Sequence, residues 1–185
     1  MSFSLTLSHV GVFVTDVSRM VDFYTRFLGF AVSDREKRAD GEIVFLTRDP
    51  REHHQFVIAS GRPSDVPFNP INQLSFRVDS LATLRAMYQA LKNEPVEILG
   101  TITHGNALSV YFRDPEKNRV ELLIDTPWYV PQPYRVPTTS CCLTPKCGPL
   151  SRSRCARCRG LRCAKHGLPK SSAKSLRQRK SANRR

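Results

Sequence analysis

The chain has 185 residues, with 29 Lys+Arg against 16 Asp+Glu, and its charge is divided unevenly. Up to Arg135 there are 15 basic and 16 acidic residues; beyond it there are 14 basic and no acidic ones, with all six Cys and no Phe, Trp or Tyr. The first part can build one core of ordinary domain size and the second cannot; the near-neutral first part is excluded as a nucleic-acid binder on charge, no stretch approaches the roughly 20 apolar residues of a membrane span, and no Cys is available there as a nucleophile.

A strand is expected over Leu7 to Val14, an apolar, β-branched run. Asp16 can cap a helix whose apolar residues Val17, Met20, Tyr24 and Phe27 recur at spacings of three and four. Three shorter strands follow over Phe30–Arg35, Glu42–Thr47 and His54–Ser60, separated by turn chemistry such as Arg38-Ala-Asp-Gly41. The same order then returns: a strand over Ile71–Val78, a cap at Ser80, a helix with Leu81, Leu84, Tyr88 and Leu91, and strands over Val96–Thr101, Leu108–Arg113 and Arg119–Asp125. Sliding the chain by 64 positions lays Ser8-His-Val-Gly-Val-Phe-Val14 over Asn72-Gln-Leu-Ser-Phe-Arg-Val78; by the last strands the offset has become 66. The unit is present twice.

The expected fold is therefore α+β: two βαβββ modules forming a curved, partly closed mixed sheet with the helices outside, over residues 1–135. Matched polar positions would then converge on the inner wall. They are His9 with Gln73 on the first strands and Gln55 with Glu121 on the last ones. Nitrogen and carboxylate donors from separate strands are what a divalent ion requires, since it collects several ligands at about 2 Å.

Four segments carry a resemblance: Ser8-His-Val-Gly-Val-Phe-Val14, Asp22-Phe-Tyr-Thr-Arg-Phe-Leu-Gly29, Asn72-Gln-Leu-Ser-Phe-Arg-Val-Asp-Ser80 and Tyr111-Phe-Arg-Asp-Pro-Glu-Lys-Asn-Arg-Val-Glu121. They resemble the vicinal oxygen chelate superfamily, which includes glyoxalase I, bleomycin-resistance proteins and type I extradiol dioxygenases. The chain is most similar to extradiol enzymes of the biphenyl-2,3-diol 1,2-dioxygenase kind. That resemblance implies Fe(II), or another divalent metal, held by His9, Gln73 and Glu121, with Gln73 standing where those enzymes have a second His. It also implies His54, from Glu52-His-His-Gln55, as the acid–base residue, with His104 and Tyr111 as its catalytic companions. The implied reaction opens a catechol-type ring with O2. Two alternatives accompany it: a glyoxalase-like lyase or isomerase with His9, Gln55, Gln73 and Glu121 all binding the metal, and a non-catalytic protein that holds an aromatic ligand.

The remaining residues, 136–185, are expected to be a disordered basic tail. Cys155-Ala-Arg-Cys158 and Cys163-Ala-Lys-His166 supply zinc-type ligands, but four residues between the pairs is too short a spacing for a finger. The tail would attract nucleic acid only non-specifically, and its composition also reads as a coding sequence translated out of frame from near Val136 to Ser140. The opening residues lack the basic start and long apolar run of a secretory signal. A cytoplasmic protein is expected, with a small aromatic diol and O2 as its partners and self-association left open.

Overall fold

The computed structural model describes residues 4–63, 65, 71–126 and 131–138. The tail beyond Thr138, with its cysteines and the expected frame shift, lies outside the described residues, as does most of the loop from Ser64 to Pro70. The described chain divides into two units. One comprises residues 1–72 with 113–118, the other residues 73–112 with the remainder from 119 onward.

In the first unit, β1 (Val10–Val14) leads into α1 (Val17–Arg26), followed by β2 (Ala31–Arg38), β3 (Gly41–Thr47) and β4 (Phe56–Ser60). The sheet order is β1-β4-β3-β2, with β1 parallel to β4 and the other pairs antiparallel. Asp16 caps α1 by accepting from the Arg19 N–H at 2.9 Å. Gly29, with φ of 70°, turns the chain off the helix, so that its N–H reaches the Thr25 carbonyl and the Phe30 N–H reaches that of Tyr24. Met20, Val21, Phe23 and Tyr24 are the buried residues of α1, a wider stripe than the expected positions three and four apart. Tyr24 stacks on Phe56 with ring centroids 4.6 Å apart, and Val14, Val44, Leu46 and Ile58 fill the same core. Strand alternation leaves the other face of β1, at Gly11 and Phe13, exposed.

In the second unit the same sequence of elements gives β5 (Leu74–Arg77), α2 (Leu81–Leu91), β6 (Ile98–Thr103), β7 (Ala107–Arg113) and β8 (Arg119–Asp125). A short β9 (Val136–Pro137) adds to the edge of β6, in the order β5-β8-β7-β6-β9. Pairing thus continues just past Arg135, the expected domain boundary. The first and last strands of each βαβββ module pair in parallel, β1 with β4 and β5 with β8. Each module therefore forms its own mixed sheet, where the sequence reading had one sheet shared by both. Among the described residues no helix is long and apolar enough to cross a membrane.

Candidate functional site

The first unit gathers His9, His53 and His54. Both His9 and His54 stand immediately outside strands: His9 precedes β1, and His54 lies two residues before β4 rather than within it. The reason lies in Gln55, whose N–H bonds the Leu46 carbonyl at 2.9 Å while its Oε1 accepts from the Arg48 N–H at 3.0 Å. Gln55 Oε1 is thus engaged in its own turn. The His9 and His54 rings lie 4.3 Å apart, and Phe45 meets His54 edge-on at 5.0 Å. The Nδ1 atoms of His53 and His54 are 2.8 Å apart, a hydrogen bond that requires one of them to carry a proton. Desolvation, followed by the neighbouring His9 and His53, pushes the His54 pKa below the usual imidazole value. His54 is therefore a neutral base near pH 7.

The second unit gathers the other candidates around one carboxylate. Glu121 on β8 faces Ser75 across the parallel β5–β8 register. Its Oε2 accepts from Ser75 Oγ at 2.6 Å and from Gln73 Nε2 at 2.9 Å; its Oε1 accepts from the Tyr111 hydroxyl at 2.6 Å. Tyr111 Oη also lies 2.9 Å from His104 Nε2, and His104 Nδ1 lies 2.9 Å from the Tyr134 carbonyl. A carbonyl and a carboxylate only accept, so Nδ1 carries a hydrogen and the Tyr111 hydrogen points to Glu121. The segment leading into β9 secures this arrangement, because Gln132 Nε2 donates to the His104 carbonyl at 2.8 Å.

Electrostatics follow from these contacts. Burial pushes the Glu121 carboxyl up, but the nearby Ser109 hydroxyl and hydrogen bonds from Ser75 and Tyr111 outweigh it and hold the group below the usual carboxylate range. Ser109 Oγ makes no hydrogen bond of good geometry, so its share rests on proximity. Tyr111 is pushed up to about 12, first by burial and then by the Glu121 carboxylate, so its hydroxyl keeps its proton through the neutral range. The Arg119 guanidinium lies over the Tyr111 ring, 4.6 Å from its centroid.

Ser75, Ser109, Arg119 and Tyr134 were not singled out in the sequence. Alternation could have found the first three, since Ser75 is two residues from Gln73, Ser109 two from Tyr111 and Arg119 two from Glu121 on single strands.

Among the described residues, no three His, Cys, Asp or Glu side chains are close enough together to hold a metal ion. The expected set contains only two such side chains plus an amide, so its fit is judged on donor chemistry. Glu121 is ionised and retains lone pairs beyond its three hydrogen bonds. Gln73 Nε2 donates to Glu121 Oε2 at 2.9 Å and to Ser75 Oγ at 3.0 Å, so the amide turns its nitrogen, which has no lone pair to offer, toward the carboxylate. The second unit thus offers a divalent ion the ionised Glu121 carboxylate, and an amide oxygen only with Gln73 turned over.

The model for the Glyoxalase/Bleomycin resistance protein/Dioxygenase superfamily matches residues 6–122. Biphenyl-2,3-diol 1,2-dioxygenase 2 of Rhodococcus globerulus is 33% identical over 87 residues, which cover 45% of each chain. The matched region spans less than two thirds of the length of the curated relatives found. Among solved structures, a glyoxylase/bleomycin resistance protein/dioxygenase domain from Frankia sp. EAN1pec superposes with a TM-score of 0.58 at 22% identity, covering 68% of this chain and 100% of that one. The fosfomycin resistance protein FosX from Listeria monocytogenes, complexed with Mn(II) and sulfate, superposes with a TM-score of 0.55 at 17% identity, covering 67% and 95%. With two βαβββ modules and a family model matching most of both, the chain belongs to the glyoxalase/bleomycin resistance protein/dioxygenase superfamily.

Proposed function

We propose that the protein is a metal-dependent extradiol dioxygenase that opens a catechol-type aromatic ring with O2. The observation that carries this reading is the Tyr111 hydroxyl donating to Glu121 at 2.6 Å, with His104 Nε2 2.9 Å from the same hydroxyl and Gln73 on the other carboxylate oxygen. The similarity to a biphenyl-2,3-diol 1,2-dioxygenase supports it. His9, Gln73 and Glu121 would hold Fe(II), or another divalent ion given the amide ligand. Such an ion, when bound, acidifies a diol hydroxyl and offers open positions to the diol and O2.

The chain's own residues do the remainder. His54, neutral near pH 7, takes the proton of a diol hydroxyl and later returns it. Tyr111 keeps its own proton and would turn its hydroxyl from Glu121 to donate a hydrogen bond to an oxygen of the reacting group. His104, fixed through Nδ1 by the Tyr134 carbonyl, orients the Tyr111 hydroxyl. The setting we propose is cytoplasmic breakdown of aromatic compounds, with self-association of the chain and only non-specific nucleic-acid contact by the tail.

The decisive experiment loads the protein with Fe(II) under anaerobic conditions, then adds catechol and air. Oxygen uptake with formation of a coloured ring-opened product is expected, and His9→Ala should abolish both while leaving the fold intact. A second reading, an aromatic-ligand binder without chemistry, is favoured by the Gln73 N–H that already satisfies Glu121. Elemental analysis of protein purified without chelators separates them, because the binder would carry no stoichiometric metal and take up no oxygen.

A further inference from the structure

Arg119 is a charged side chain beside the Glu121 cluster that the proposed reaction leaves unused. It stands two residues before Glu121 on β8, so both side chains issue from the same face of the sheet, about 7 Å apart along the strand. Its guanidinium lies over the ring of Tyr111, whose hydroxyl reaches Glu121 at 2.6 Å. Its Nε is closed off from solvent and has no hydrogen-bond acceptor. Arg119 forms no salt bridge in the described structure: of the carboxylates on its own face, Glu121 is taken by Ser75, Gln73 and Tyr111, and Asp125 by Arg77.

A guanidinium carries five N–H donors in a planar fork and cannot discharge by losing its proton. Stacking on an aromatic ring satisfies its face but none of those donors. A half-buried Arg with an uncommitted fork, held flat by an aromatic ring and one strand step from the proposed metal ligand, is complementary to a planar oxyanion. We infer that Arg119 binds a carboxylate substituent of the ligand, so that the preferred substrates are aromatic diols bearing an acid group rather than neutral diols. The strand step between Arg119 and Glu121 matches the span of one substituted ring, with the diol toward Glu121 and the acid toward Arg119. The diol end of this inference rests on the function proposed above; the acid end rests on Arg119 alone.

Binding, rather than turnover, tests it. The full-length protein is titrated calorimetrically with 3,4-dihydroxybenzoate and with its neutral counterpart 3,4-dihydroxybenzamide, without oxygen, in about 0.15 M salt to screen the basic tail, with and without added Fe(II). The acid should bind about tenfold more tightly than the amide, the scale of one charge-assisted bidentate contact. Arg119→Gln should erase that ratio while leaving the affinity for the amide within about twofold, and Arg119→Lys should keep part of it. Equal affinities in the unsubstituted protein, or a ratio that survives Arg119→Gln, would overturn the inference. Should Arg119→Gln fail to fold, the Arg119→Lys ratio and the unsubstituted ratio decide it together. A preserved acid preference without oxygen uptake would leave Arg119 in this role and refute the dioxygenase reading; oxygen uptake with no acid preference would do the reverse.

Discussion

Each unit contains a tyrosine hydrogen-bonded to a carboxylate, and the two pairs behave in opposite ways. In the first unit Tyr24 donates to Asp114 Oδ2 at 3.1 Å, and Asp114 also accepts from the Glu116 and Asn118 backbone N–H groups and from Asn118 Nδ2. In the second unit Tyr111 donates to Glu121 at 2.6 Å, and Glu121 accepts from Ser75 and Gln73 as well. Both carboxylates are nearly closed to solvent, at 1% and 6% exposure. Burial nevertheless raises the Asp114 pKa in spite of its hydrogen bonds, whereas hydroxyl donors lower that of Glu121 in spite of burial. Asp114 lies deeper and its donors are longer, so desolvation prevails; Glu121 is shallower and has two bonds of 2.6 Å, so hydrogen bonding prevails. The first pair holds the turn at residues 113–118 in place, and the second keeps a carboxylate charged in spite of its burial.

The turn itself supports that distinction. Glu116 Oε1 accepts from the Thr15 and Asp16 N–H groups and the Thr15 hydroxyl within 2.8 Å, at the entrance to α1. Arg19 donates to the Pro115 carbonyl and Arg62 to that of Glu116. Every donor to this carboxylate comes from the start of α1 or from Arg62, so it ties the turn to the helix.

The largest effect should come from Asp114→Ala, which removes from the core the carboxylate that accepts from the Tyr24 hydroxyl and from the backbone and side-chain amides of Asn118. Urea unfolding should show a loss of about 3 kcal/mol or more, about one kcal/mol for each buried hydrogen bond lost. Tyr111→Phe should invert the comparison. Oxygen uptake with a catechol should fall about a hundredfold, with stability changed by no more than about 1 kcal/mol, measured by the same urea titration. A comparable loss of stability would mean that the second pair is also structural.

Gln73→His comes next. Replacing the amide oxygen by an imidazole nitrogen should tighten Fe(II) retention about tenfold, as read by metal content after dialysis against a chelator; unchanged retention would mean that Gln73 does not contact the metal. The smallest effect is on pH dependence. With the folded pKa of Asp114 raised above its unfolded value near 3.9, the native state binds more protons in that window, so stability falls as pH rises through it. Urea midpoints measured upward from about pH 4 should show that fall in the natural protein, and Asp114→Asn, neutral throughout, should lack it.

Much of this was legible in the residues, and the limits have identifiable causes. The strands and both helices could be placed because apolar periodicity reports which face is buried, and the second copy repeats the first. His54 was expected at the head of a strand running to Ser60, but the strand begins at Phe56, after the Gln55 side chain has bonded back to Arg48. Gln55 and Glu121 occupy matched positions and were grouped as candidate ligands, yet one is committed to a turn and the other to Ser75, Gln73 and Tyr111. Arg119 drew no attention because a strand Arg is commonplace; only its contacts distinguish it.

The order of residues alone determined the duplicated βαβββ plan, the caps Asp16 and Ser80, and the candidates His9, Gln73 and Glu121, with Tyr111 added by the family resemblance. Those depend on local periodicity and residue chemistry, which a linear chain displays. Tertiary structure alone decided that hydrogen bonding divides the strands into two sheets, that Glu121 collects three donors, and that Arg119 rests on Tyr111 with its fork uncommitted. Such features depend on which groups remain after neighbours from distant segments have taken their partners, and sequence separation carries no record of that competition.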